Sequence, residues 1–282
     1  MSKLIIIPDV HGRSFWRKAV EEYPQEEFIF LGDYLDPYSQ DGVTVEEASA
    51  GLQEIVSLKE SCPERVTLLW GSHDLHYLYP DLEGSRYDRK NAARNGDFFT
   101  EHQKAFQLAA EWIAGDDRYL FTHAGVGGLW VESFLPSLPE DKITAAFLND
   151  CMKVPSFIQA LSNVSYYRGG PDMYGSCIWA DLQEQGELYN QLQSSIQVFG
   201  HTMVLEAFNY DNRVYGLDCQ ECFYLDLERG GIYSLETKTP IQPYKHLGNY
   251  EIAEKANKDR KDVVYLKMDT RMELAGWYKD LC

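Results

Sequence analysis

Short apolar runs recur along the chain, and most of them stop at a glycine or at a residue with a polar head. Residues 4–7, 28–31, 66–70, 119–121 and 196–199 are mainly apolar and nearly continuous, the pattern of strands buried on both faces. An amphipathic stretch over 14–23 separates the first two runs. Before the third, Thr44-Val45-Glu46-Glu47 has the spacing of a capping box and predicts a helix to about Lys59, with Pro63 just beyond it. Alternation of this kind, β-α-β-α-β, predicts a parallel sheet covered by helices. Residues 75–96, rich in Tyr, Asp and Arg, read as irregular surface, 98–114 as a helix, and 129–165 as helical pieces broken by Pro136, Pro139 and Pro155. From Arg213 the period changes. Residues 214–217, 222–226 and 231–235 read as successive strands, with Arg229-Gly230-Gly231 the clearest turn, and predict antiparallel hairpins. The polar tail from Lys245 ends in an amphipathic stretch with Trp277 and Tyr278. With no repeat or linker, the expectation is one domain over residues 1–282, its core at about 1–240 and the tail 241–282 packed on the outside.

The residues just past each apolar run carry the chemistry. The first run leads to Asp9 and His11, the second to Gly32, Asp33 and Asp36, the third to Ser72, His73 and Asp74, the fourth to His123, and the last to His201. Four of the 7 histidines therefore sit just past a strand, while His76, His102 and His246 do not. Ligand chemistry in open α/β sheets gathers beyond the carboxyl ends of strands. One such histidine would be a hydrogen-bonded structural residue. Five strand ends bringing carboxylates and imidazoles to one edge of one sheet predict a metal site, and the count suits two ions.

Composition narrows the partners. With 44% hydrophobic and 13% aromatic residues the chain can bury a large core, yet it contains no apolar run of membrane-spanning length. The apolar segment after Met1 is too short for a secretory signal, so the expected location is cytoplasmic. Of the 6 cysteines only Cys219 and Cys222 have suggestive spacing, and with no second pair they read as structural. A net charge of −18 excludes binding driven by neutralising a nucleic-acid backbone. A small phosphorylated substrate is compatible with that charge where cations invert the local potential.

The chain resembles the calcineurin-like metallophosphoesterase superfamily, and within it the branch of serine/threonine protein phosphatases and symmetrical dinucleoside tetraphosphatases. The family pattern D-x-H, G-D-x-x-D, G-N-H-[DE], H and G-H-[TS] reads here as Asp9-Val10-His11, Gly32-Asp33-Tyr34-Leu35-Asp36, Gly71-Ser72-His73-Asp74, His123 and Gly200-His201-Thr202. The resemblance implies an α/β fold: a β-sandwich core of βαβ units with covering helices and C-terminal antiparallel strands. It implies two divalent metal ions, Mn, Fe, Zn or Mg. Asp9 and His11 would hold the first, Ser72, His123 and His201 the second, and Asp33 both. His73 would stand by the leaving oxygen, oriented by Asp36. A hydroxide shared by the ions would attack phosphorus in line. The implied activity is phosphomonoester hydrolysis on a phosphorylated small molecule or phosphoprotein. A dinucleoside tetraphosphate hydrolase or cyclic-nucleotide phosphodiesterase is the alternative, and a scaffold without catalysis the third.

Two departures mark the match. Ser72 stands where the family has Asn, which predicts a weakened second metal. The protein phosphatases carry a phosphate-binding arginine directly after the second Asp of G-D-x-V-D-R-G, whereas Pro37 and Tyr38 follow Asp36 here. Arg168 is the first candidate to replace it and Arg13 the second, with Arg86, Arg89 and Arg94 also within the surface segment. Trp179 and Asp181 faintly resemble the phosphatases' W-x-D stretch.

Overall fold

The first three apolar runs become β1 (Lys3–Ile7), β2 (Glu27–Phe30) and β3 (Val66–Leu69), side by side in parallel. Their crossovers are α1 (Phe15–Glu22) and α2 (Val45–Ser61). The computed structural model describes residues 2–79, 82–186 and 190–243. The expectation that the tail packs on the domain, with Trp277 and Tyr278, lies outside the described residues. The capping box forms as its spacing predicts: the Glu47 N–H donates to Thr44 Oγ1 at 3.1 Å and the Thr44 N–H to Glu47 Oε2 at 2.8 Å.

After β3 come α3 (Ser72–Leu75), α4 (Ala92–Glu101), β4 (Phe106–Gln107), β5 (Ala109–Ala114), β6 (Asp117–Thr122), α5 (Gly128–Phe134), α6 (Ala145–Cys151), α7 (Pro155–Ala160) and α8 (Leu182–Gln185). The chain closes with β7 (Ile196–Phe199), β8 (Phe208–Tyr210), β9 (Val214–Gly216), β10 (Phe223–Asp226) and β11 (Ile232–Ser234). Two mixed sheets result, in the orders β11-β10-β1-β2-β3-β4 and β5-β6-β7-β9-β8.

The period of two along β1 builds both cores. Leu4 and Ile6 face the second sheet and pack, with Ile29, Leu31 and Leu69, against Phe121, Ile196 and Val198. Ile5 and Ile7 face outward, where Phe28, Phe30 and Leu68 join them beneath Trp16 of α1 and Leu52 and Ile55 of α2. Burying one such side chain contributes about 1.5–3 kcal/mol. A strand apolar on both faces is therefore held from both sides, and this rigid edge is what the site is built on.

Three expectations need correction. Residues 109–114 are a strand, because Gly115 and Asp116 turn the chain back and β5 pairs with β6 along its whole length, from Ala109 opposite Thr122 to Ala114 opposite Asp117. That pairing overrides the helix propensity of the alanines. Of the three late strands only β10 and β11 pair as the expected antiparallel hairpin. β9 joins the second sheet beside β7 and β8, and β10 joins the first beside β1 and β11. The chemistry-bearing strand ends consequently belong to two sheets: β1, β2 and β3 to one, β6 and β7 to the other. No helix among the described residues is long and apolar enough to cross a membrane.

Candidate metal centre

The strands do not simply stop; their ends are tied to one another. The Val10 and His11 N–H groups both donate to the Asp33 carbonyl, at 3.1 and 2.7 Å, and the Gly12 N–H reaches Tyr34 O at 3.0 Å. Asp74 fastens the third end, its carboxylate accepting from the backbone N–H groups of Gly71, Asp33 and Tyr34 at 2.8, 2.8 and 3.0 Å. Burial, with the Asp33 charge beside it, lifts the Asp74 carboxyl to about 8. His11, Asp33, Asp36 and His201 all adopt positive φ, at 44°, 52°, 56° and 62°. Non-glycine residues hold such angles only where surrounding bonds over-determine them, at about 1–3 kcal/mol each. Strain gathers here.

Two glycines allow the close approach. A Cβ on Gly71 would lie 2.2 Å from the Asp33 nitrogen, and one on Gly200 would lie 2.0 Å from Asp9 Oδ1. With no side chain at Gly200, the next N–H, that of His201, donates to Asp9 Oδ1 at 2.9 Å. In the same way the His73 N–H donates to Asp33 Oδ1 at 2.7 Å.

These ties bring the predicted residues together. Asp9, His11 and Asp33 form one group and Asp33, His123 and His201 a second; within each, one donor atom per residue lies within 4.8 Å of the others. All five side chains are buried. His11 Nδ1 and His123 Nδ1 each lie 2.8 Å from a backbone carbonyl, of Leu35 and Leu31 respectively. A carbonyl can only accept, so each proton sits on Nδ1 and each Nε2 turns its lone pair inward, 3.5 and 3.4 Å from Asp33 Oδ2. That is how imidazoles are steered onto a cation. His201 places Nδ1 2.9 Å from His123 Nε2. Ser72 Oγ is 3.4 Å from both Asp33 oxygens and 3.5 Å from His201 Nδ1, so it points into the second group.

The donor set suits divalent ions of borderline hardness, imidazole nitrogens with carboxylate oxygens. Its charges respond to one another. Burial and the nearby Asp218 raise the Asp9 carboxyl well above the usual range. Burial pushes Asp33 upward too, but His123, His73 and His11 overcome it and hold the group well below that range. At His123 burial opposes the proton, yet Asp33 and Asp9 raise the imidazole to about 9. Burial lowers His11 and His201 well below the ordinary histidine range. Neutral His11 and His201, and a His123 whose proton a bound cation would displace, beside crowded buried carboxylates suit a cation site.

Next to the two groups lies a third, Asp36, His73 and His76. His73 Nδ1 is 2.9 Å and His76 Nε2 2.8 Å from the same Asp36 oxygen. Tyr77 donates its hydroxyl to the other oxygen. His76 was not among the residues expected here, since it follows no strand. Its signal is helical: three residues past His73, it shares a face of α3 and the residue capping it.

The arginines differ in their commitments. Arg13 is buried and donates Nε–H to Asp41 at 2.6 Å. Arg168 lies on the His201 side, its Nη1 3.4 Å from Asp181 Oδ2 and 3.3 Å from Thr202 Oγ1. Trp179 packs edge-on against His201 with ring centroids 5.4 Å apart, so that segment does border the site. Arg89 is exposed and paired with Glu83. Cys219 and Cys222 are free thiols, both raised by burial, Cys222 to about 12, which suits a structural role.

A two-sheet α/β fold with carbonyl-steered histidines and carboxylates buried at its strand ends defines a metal-dependent hydrolase. The model of the calcineurin-like phosphoesterases matches residues 2–205, and the chain belongs to that family; it is a phosphoesterase. The fold is shared with a cold-active protein tyrosine phosphatase, 18% identical with a TM-score of 0.55, over 86% of this chain and 79% of that one. A protein serine/threonine phosphatase from Saccharomyces cerevisiae is 14% identical with a TM-score of 0.46, over 80% and 73% of the two chains. No curated protein matches the sequence.

Proposed function

We propose that the chain is a phosphomonoesterase of the serine/threonine-phosphatase type, acting on a phosphorylated small molecule or a phosphoprotein with two divalent ions. One observation carries this: Asp33 belongs to both donor groups, with Asp9 and His11 on one side and His123 and His201 on the other. Asp9 and His11 would hold one ion, Ser72, His123 and His201 the other, and Asp33 both. Bound there, manganese, iron, zinc or magnesium would lower the pKa of a water and neutralise charge on the phosphate.

The protein's own groups supply the remainder. Once protonated, His73 would turn its Nε2–H to the leaving oxygen, because Asp36 accepts from Nδ1 and fixes the ring. His76 and Tyr77 keep Asp36 in place. Arg168 at the His201 end, and Arg13 behind Asp9, would face phosphate oxygens, each exchanging a carboxylate partner to do so.

A panel tests the reading: the metal-loaded protein with p-nitrophenyl phosphate, bis(p-nitrophenyl) phosphate and diadenosine tetraphosphate. Monoester turnover should lead. Preference for the diester or the tetraphosphate would replace the phosphomonoesterase reading by one of those two. Absence of any turnover after loading with Mn, Zn or Fe, unrepaired by Ser72→Asn, would leave a non-catalytic scaffold.

A further inference from the structure

Arg86 approaches the site from the segment after α3, at His73 and Asp36, whereas Arg168 lies beside Asp181 and Thr202. Its guanidinium lies 3.6 Å from the centroid of the Tyr38 ring, stacked on its face. One amine, Nη2, is 2.9 Å from His73 Nε2, and the other donates to the Asp36 carbonyl. Since a guanidinium has no acceptor, His73 Nε2 must be accepting, with its own proton on the Asp36 side. The nitrogen that would face a leaving group is therefore covered by a cation.

Three features separate Arg86 from the other arginines around the site. Arg13, Arg168 and Arg89 are each paired with a carboxylate; among the described residues none pairs with Arg86. Two of its N–H donors are engaged, which leaves others of its five for an oxygen ligand. Its backbone also takes the left-handed conformation, φ 60°, as His11, Asp33, Asp36 and His201 do. Tyr38 stays a neutral platform, burial raising its hydroxyl to about 12.

We propose that Arg86, seated on Tyr38, is a phosphate-binding residue of this site and turns from His73 Nε2 to the bound phosphate. The move uncovers His73 only when a phosphate has arrived, so cation and ring nitrogen are presented to the substrate together. It involves rotation and exchange of hydrogen bonds, and no covalent bond changes. Because a planar fork matches two phosphate oxygens, the residue should favour dianionic monoesters over diesters. The assignment rests on the phosphoesterase reading above.

The test is a calorimetric titration of inorganic phosphate into the metal-loaded protein, with steady-state turnover of p-nitrophenyl phosphate alongside. Arg86→Ala should weaken phosphate binding and raise KM by about 10- to 100-fold with metal content unchanged. Arg86→Lys should recover part of the loss, because charge returns without the fork. Tyr38→Leu should weaken phosphate in the same direction, and Tyr38→Phe, which keeps the ring face, should not. Arg89→Ala should match the wild type. Wild-type phosphate affinity in Arg86→Ala overturns the assignment alone. A wild-type protein that neither binds phosphate nor hydrolyses any ester overturns the phosphoesterase reading and the assignment with it.

Discussion

His73 Nδ1 and Asp36 Oδ2 lie 2.9 Å apart, and His76 Nε2 reaches the same oxygen at 2.8 Å. With Tyr77 on its other oxygen, Asp36 is saturated. Burial would raise its carboxyl, yet the bonds from His73, His76 and Tyr77 hold it below the usual range. Its proposed task is orientation. Asp36→Asn replaces one acceptor oxygen by an amine that repels the His73 N–H, so the ring loses its fixed tautomer. Turnover should fall about 10²- to 10⁴-fold, while metal content by elemental analysis stays at the wild-type level. Metal lost along with turnover would make Asp36 a ligand instead.

Asp33 stands in a different position, because both donor groups need it. A cation that binds only the folded protein stabilises it by about 2.7 kcal/mol at one hundred times its Kd. In a chain of this size that raises Tm by roughly 5–10 °C. Adding Mn or Zn to chelated wild-type protein should show such a rise. Asp33→Asn should abolish most of it and lower the bound metal below half. An unchanged rise in the variant would remove Asp33 from the shared position.

The contrast between Asp33 and Asp36 shows how far the sequence could be read. The gathering of carboxylates and imidazoles from the ends of continuous apolar runs was legible, since the run marks the strand and the strand delivers its last residues to one place. The partition between two sheets was not. β9 and β10 carry similar short apolar patterns, and only their long-range pairing separates them. Residues 109–114 failed for the same reason, an alanine-rich segment being made a strand by its partner across a tight turn. His76 was illegible as a site residue because it follows no strand and arrives on a helix face, and Arg86 was one of several candidate arginines that the sequence could not rank, because irregular chain held by an aromatic ring delivers it.

Ser72 is the position where a substitution should improve the site. Its Oγ is 3.4 Å from the Asp33 oxygens, in line with the second donor group but on a short side chain. Ser72→Asn extends a stronger carbonyl donor in the same direction. A cation at the proposed second position should bind about 10-fold more tightly or better, read by titration against a competing chelator. The residue is fully buried, so the larger side chain should also lower the Tm of the metal-free protein, by about 1–3 kcal/mol of stability. Equal affinity in variant and wild type would mean that Ser72 is only a turn residue.

Gly200 offers the sharpest test of how the two sheets hold the site together. It directly follows β7, in the second sheet, and touches Asp9, two residues past β1 in the first. Its φ is not in the left-handed region, so an alanine there meets no backbone penalty, only the atoms in front of it. Those atoms are close: the added Cβ would sit 2.0 Å from Asp9 Oδ1, the oxygen that accepts from His201 N–H at 2.9 Å. Asp9 must move, and the bond joining the two sheets at this point breaks with it. Gly200→Ala should therefore lose about 1–3 kcal/mol in a denaturant melt. It should also give up the ion proposed at Asp9 and His11 before the one proposed at His123 and His201. Gly128→Ala is the control, because its Cβ meets nothing nearer than 3.6 Å, and it should melt within about 0.5 kcal/mol of the wild type. If Gly200→Ala keeps both ions at wild-type affinity, Asp9 is not a ligand and the first site is built from other groups.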